Sequence, residues 1–338
     1  MNASFSQKID SFCHILPPKY KQALDKKASH CFYLEANRLR PALFDLDIRF
    51  RVMDKYEGLR QVLTLGVPPL EYVVSADEAV DLSKMANDEM AELVTKYPDR
   101  FVAAAACLPM NNIDAALKEA ERAISELNLR GIQIYSSING KPLDTPEFMA
   151  LYEKMAEYDL PIWIHPARDQ KIADYPGEEA SKYNLFLVFG WPYETTLCMA
   201  RLVFSGVLER YPNIKFIAHH CGAMIPFFAQ RIPTGPTGKT NPDEKDVLRL
   251  SKSPLAYFQK FYADTVPTGG TPALMCAYEF FGPDNLVFGS DYPYPGGAQG
   301  EGFALGEAIR SVESMDVPPA VKAKIFGKNT ERILRLSR

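Results

Sequence analysis

The chain has 338 residues, 47% of them hydrophobic, and a formal net charge of -4. That length and apolar fraction suit one large core, within the size of a single barrel with decorated loops. The slight acidity leaves no basic footprint for nucleic acid, and no apolar run reaches the roughly 18 residues of a membrane span.

Residues 1–10 (MNASFSQKID) lack a basic stretch followed by a hydrophobic one, so no signal peptide is expected. Cys13, Cys31, Cys107, Cys198, Cys221 and Cys276 are scattered, with no CxxC pair. They read as free thiols in a reducing cytoplasm, not as a disulfide frame or a structural zinc site.

Short apolar runs punctuate the chain. In order they are KIDSFCHI (8–15), QVLTLGV (61–67), RFVAAAACLPM (100–110), LRGIQIYSS (129–137), LPIWIHP (160–166), IKFIAHH (214–220), KFYADTV (260–266) and NLVFGSD (285–291). Continuous Val, Ile, Leu, Phe and Ala implies burial on both faces, as in a parallel sheet. Helical patterns alternate with these runs. One spans 76–97 behind a Ser75 cap, and one spans 112–127 with an apolar face. Another opens at Thr145-Pro146. Further helices are expected at 194–211, 272–281, 303–315 and 322–336. The alternation predicts an α/β fold, a (β/α)8 TIM barrel forming a single domain over 1–338. Two long connections, 167–191 and 232–255, follow the fifth and sixth strands and should lie on the catalytic face as lids or dimer contacts.

The chain has five histidines: His14, His30, His165, His219 and His220. All but His30 end an apolar run, and Asp291 ends the eighth. In a barrel such ends converge on one mouth. Any one of these histidines alone is more often a core or loop group, and Asp291 alone is as readily a helix cap. Together they reverse those odds. Three nitrogen or oxygen ligands with an open position suit a catalytic zinc site.

The strings IDSFCHI, GIQIYSSINGKPLD, PIWIHP, FGWPYETT, KFIAHHCGAMIPFF and NLVFGSDYPYP resemble the decarboxylase-like branch of the amidohydrolase superfamily. That branch includes aminocarboxymuconate semialdehyde and γ-resorcylate decarboxylases. The resemblance runs from Lys8 to the final GKNTERILRL. It implies one divalent metal, zinc or else manganese, held by His14, His165 and Asp291. It implies His219 as general acid or base beside a catalytic Asp291, and a homo-oligomer, dimer or tetramer. His220 stands where relatives often carry a small residue.

One position departs from the family. Relatives carry His or Glu two residues before the second ligand of the first strand, and this chain has Phe12. Positions 12 and 14 share a strand face, so Phe12 should point into the mouth. Cys13 should face the other way. Asp10 has the parity of His14 but lies about 13 Å deeper, at roughly 3.3 Å per residue. No lysine on the fourth strand offers a carbamate bridge, so a two-metal site is not expected.

Arg49, Arg51 and Arg168 are candidates to fork onto a substrate carboxylate, against the alternative of solvated surface arginines. Phe12, Tyr292 and Tyr294 are candidate walls, and Trp163 reads as core. Three functions stay open at this point. One is a metal-dependent nonoxidative decarboxylase of an aromatic or unsaturated carboxylic acid. The second is a hydrolase of an amide, lactone or C–C bond. The third is a metal-independent barrel, for which Phe12 speaks.

Overall fold

The computed structural model describes residues 7–28, 30–232, 250–266, 270–294 and 302–336. The eight apolar runs become eight parallel strands. They are β1 Lys8–Ile15, β2 Leu59–Leu65, β3 Phe101–Ala104 resuming as Ala106–Cys107, β4 Ile132–Tyr135, β5 Pro161–His165, β6 Lys215–Ala218, β7 Tyr262–Asp264 and β8 Leu286–Val287. Each pairs in parallel with its chain neighbour. Ala105 is the hinge of β3: its N–H donates to Leu63, and that of Ala106 donates to Gly131. The strand thus passes its bonds from β2 to β4.

The ring closes between the first strand and the last. Ser11 donates to Phe288 at 2.7 Å, Asp291 to Phe12 at 2.9 Å and His14 to Tyr292 at 2.7 Å. The sheet therefore has no free edge there, and the fold is the (β/α)8 barrel expected.

Barrel interior and outer layer follow the two-residue period. Phe12, Val62, Ala103, Ala105, Trp163, Ile217, Tyr262 and Val287 form one buried cluster inside. Trp163, expected as core, is fully buried, and its indole donates to Ser11 O at 2.8 Å. Cys13, Leu63, Ile132, Ile134, Ile162, Ile164 and Phe216 face outward into the layer shared with the helices.

The expected helices form with shifted ends. They include Ala76–Lys96, closed by a reciprocal Ser75/Glu78 capping box, Ile113–Ser125, Trp191–Phe204 and Gly270–Phe281. Helix 194–211 is divided, because Gly206 at φ 80° separates Trp191–Phe204 from Val207–Arg210. Three short helices precede β2: α1 Pro18–Lys27, α2 Phe32–Arg38 and α3 Leu46–Met53. No periodic pattern announced them, since each spans about two or three turns and stability comes from tertiary packing. Most of the 232–255 connection lies outside the described residues. Among the described residues no helix is long and apolar enough to cross a membrane.

One irregularity matters for the site. The β1–β2 register shifts between Asp10 and Cys13, a bulge that places three steps of β1 against two of β2. Asp10 then pairs with Gln61 and Cys13 with Leu63, so Asp10 shares the outward side of Cys13. The face assumed for Asp10 from simple alternation is corrected by this extra residue.

Gly131 opens β4 at φ 143°, where a Cβ would lie 2.3 Å from Pro161 O and 2.6 Å from Trp163 Cζ3. A Gly131→Ala variant combines backbone strain with overpacking and should lose about 3 kcal/mol of stability, seen as a lowered midpoint in denaturant unfolding. An unchanged midpoint would contradict this packing of β4 on β5.

Candidate active site

His14 near the end of β1, His165 at the end of β5, His219 just after β6 and Asp291 beyond β8 meet in one place. The ligand-type atoms of His14, His165 and His219 lie within 4.8 Å of one another. His14 Nε2 is 3.1 Å and His219 Nε2 3.6 Å from Asp291 Oδ1. Both imidazole nitrogens are buried and make no aligned hydrogen bond. Asp291 reaches inward from a left-handed backbone, φ 58°, fixed by its N–H on Phe12 O.

The opposite nitrogen of each ring is occupied. His14 Nδ1 lies 3.2 Å from Leu65 O and 3.1 Å from Thr64 Oγ1. The Thr64 hydroxyl proton is given to Cys13 O, so the imidazole is the donor. His165 Nδ1 donates to Pro166 O at 2.8 Å. His219 Nδ1 makes a short contact with Asp264 Oδ2, both fully buried. A proton on Nδ1 of His14 and of His165 leaves their Nε2 lone pairs turned to the shared centre, the tautomer that metal-binding histidines adopt.

Asp264, which the run-end pattern does not mark because it lies inside KFYADTV, closes β7. It also accepts from Cys221 N at 3.1 Å and Val266 N at 3.0 Å. Those bonds pin the tight loop after His219, where His220, Cys221, Gly222 and Ala223 all take positive φ.

Electrostatics separate the rings. Burial, opposed by Asp291, holds His14 below its usual range. Burial, reinforced by His14 and His219, pushes His165 well below. Burial would also lower His219, but Asp264 and Asp291 overcome it and raise it to about 9. Asp291 would be raised by burial, yet His14 and His219 hold it well below the carboxylate range. Burial beside His219 takes His220 down to about 3.

Phe12 is fully buried and lies flat on His219, centroids 3.9 Å apart at 17°. It forms the floor beneath the cluster. Tyr135 and Trp191 flank His165 at 5.3 and 5.2 Å, and Tyr294 flanks His14 at 5.1 Å. These rings surround the polar groups with low-dielectric wall, which strengthens their electrostatics.

Three other expected contacts are corrected. Arg49 is fully buried in α3 and consumed by the scaffold. It donates to Gln61 Oε1 at 2.8 Å, His14 O at 2.7 Å and Ala42 O at 3.3 Å, so it faces the back of β1. Arg51 is exposed two positions along the same helix, about 200° round the axis from the buried Arg49 face. Tyr292 is 1% exposed with the Arg49 guanidinium 5.3 Å over its ring, so it lines that buried layer and not the mouth. Arg168 does sit at the mouth side, half-buried and ion-paired with Glu194 at 2.8 Å. A cavity of about 670 Å³ opens there, lined by Glu71, Ser136, Ala167 and Glu194 among others.

The residues fit a divalent metal: inward Nε2 atoms with no hydrogen bond, a carboxylate between them, and acceptors behind each ring. His14, His165 and Asp291 can hold it, with His219 in reach.

A family model described as amidohydrolase matches residues 9–336. The 2-amino-3-carboxymuconate-6-semialdehyde decarboxylase of Dictyostelium discoideum is 29% identical over 98% of this chain and 92% of its own length. The crystal structure of 5-carboxyvanillate decarboxylase from Sphingomonas paucimobilis is 26% identical, with TM-score 0.81, covering 98% of this chain and all of that one. A dihydroxybenzoic acid decarboxylase from a Polaromonas species was crystallised with manganese and 2-nitroresorcinol. It is 24% identical, with TM-score 0.80 and 98% of both chains covered, a likeness of fold.

Adding Mn2+ or Zn2+ to metal-stripped protein should raise its thermal stability, by about 2.7 kcal/mol at a hundredfold excess over Kd. His165→Ala and Asp291→Ala should lose most of that gain. Unfolding of the wild type that neither ion shifts would contradict the site.

Proposed function

We infer that this chain, which belongs to the amidohydrolase family, is an enzyme: a metal-dependent nonoxidative decarboxylase of an aromatic or unsaturated carboxylic acid. The observation that carries this reading is the meeting of His14, His165, His219 and Asp291 in one buried centre, with Asp264 behind His219. The relatives reported above are decarboxylases, which is why decarboxylation and not hydrolysis is assigned. Phe12 removes one usual ligand, but three side chains remain, enough for one ion.

We propose His14, His165 and Asp291 as the metal-holding groups and His219 as the acid–base group. His14 and His165 are backed by neutral acceptors. His219 alone has a carboxylate on Nδ1, the arrangement that stabilises an imidazolium while the ring exchanges a proton at Nε2. Zinc or manganese suits a set of imidazole nitrogens and one carboxylate oxygen. A divalent ion held there would supply Lewis acidity toward the substrate's carboxylate.

The protein's own groups then account for the reaction. His219 delivers a proton from Nε2 to the carbon that bears the carboxylate. The C–C bond breaks, CO2 leaves, and the bonding pair returns to the π-system. Phe12, Tyr135 and Trp191 exclude water and favour departure of a neutral gas from a charged group. Arg168, fixed by Glu194 at the mouth, is proposed to draw the anionic substrate in.

A homo-oligomer is proposed as the working form. Tyr183, Phe189 and Phe227 are 88%, 64% and 77% exposed, and they belong to the segments that follow β5 and β6. Large exposed apolar groups favour association. The free cysteines accord with a reducing cytoplasm.

The test is CO2 release from a panel of hydroxybenzoates by the metal-loaded protein. His219→Asn should lower kcat by about 10²–10⁴-fold while metal content stays near that of the wild type. Full turnover in His219→Asn would remove its assigned role, and a wild type silent across hydroxybenzoates and unsaturated amino acids would overturn the decarboxylase reading.

A further inference from the structure

Glu71 takes no part in the chemistry above, yet it borders the cavity that Ala167 and Glu194 also line. It lies in α4, Leu70–Val73, the short helix after β2, and is 8% exposed. Its Oε1 is buried with no hydrogen-bond partner. The side chain lines the 670 Å³ cavity and also a crevice of about 10 Å³ below it. Gln133 and Tyr135 share that crevice.

Gln133 repeats the pattern. Its Nε2 donates to Leu65 O at 2.9 Å, the carbonyl that also anchors His14 Nδ1. Its Oε1 is buried and unpartnered. Two residues with unpartnered acceptor oxygens therefore border one hollow, and Tyr135, which lines it as well, flanks His165 with ring centroids 5.3 Å apart. Near the large cavity Arg168 pairs with Glu194 and Arg201 with Asp144, each at 2.8 Å, and neither reaches Glu71 Oε1.

We propose that Glu71, with Gln133, is a specificity subsite for a hydrogen-bond-donating substituent of the substrate, a hydroxyl or amino group remote from the reacting carboxylate. This rests on the decarboxylase reading for the identity of the carboxylate. Only a donor satisfies both oxygens. A methoxy or nitro group would leave them unpaired, and sites built to receive a donor reject analogues that lack one.

The experiment is calorimetric titration of the manganese-loaded full chain with benzoates carrying a hydroxyl, amino or methoxy group at ring position 3, 4 or 5. At one position the hydroxyl or amino compound should bind about tenfold tighter than the methoxy compound. Whichever of the two does so identifies the donor. In Glu71→Leu that ratio should fall below about threefold, and Glu71→Gln, whose amide oxygen still accepts, should restore part of it. If Glu71→Leu fails to fold, the Gln variant alone decides, by a reduced or an unchanged ratio. An unchanged ratio in the variants, or no discrimination at any position in the wild type, overturns the subsite. Because binding is read and not turnover, a clear ratio without CO2 release would sink the decarboxylase reading and leave the subsite standing.

Discussion

Each imidazole of the site is held from behind. Leu65 O, Pro166 O and the Asp264 carboxylate take the Nδ1 side of His14, His165 and His219, which sends every Nε2 to the same point. The constraint is one of hydrogen-bond satisfaction. Nδ1–H cannot stay unpaired in a buried setting, so its acceptor sets both tautomer and ring orientation. Those acceptors sit at or just beyond strand ends: Leu65 closes β2, Pro166 follows β5 and Asp264 closes β7. Barrel closure and chemistry thus share one cause, since the ring of strands that buries the core also delivers the anchors.

A second layer supports the first from outside the barrel. The bulge in β1 turns Asp10 outward, where it accepts from Ser290 N at 3.0 Å and Ser290 Oγ at 2.5 Å. Ser290 precedes Asp291, so this pair fixes the backbone that aims the carboxylate. Burial lifts the Asp10 carboxyl to about 7 against the bonds from Ser290 and the nearby Arg49. Arg49 meanwhile holds His14 O and Gln61. Ionisable groups this deep are costly to bury. Their place directly behind His14 and Asp291 gives them a positioning task.

Much of this was legible from residues alone, because parallel strands are apolar on both faces and their C-terminal ends must converge. His14, His165, His219 and Asp291 stood out as polar groups closing apolar runs. Asp264 ends its strand but lies two residues before the end of its apolar run, so that rule does not mark it. Arg49 misled for a different reason. Its fork suits a carboxylate, and nothing in a short helix without clear periodicity tells which face is buried. Tyr292 misled likewise, since the turn at Asp291 reverses the side on which its neighbour lies. The Asp10 bulge was hidden because one extra residue flips parity without any change in composition. Glu71 carried no signal at all: its meaning lies in what fails to touch it.

These anchored rings and Asp291 leave one shared position for a metal ion. Anomalous diffraction from crystals of the manganese-loaded protein tests it most directly. A single strong peak should appear, enclosed by His14, His165 and Asp291, with His219 alongside. A peak elsewhere, or none at that position with manganese in excess, would contradict it.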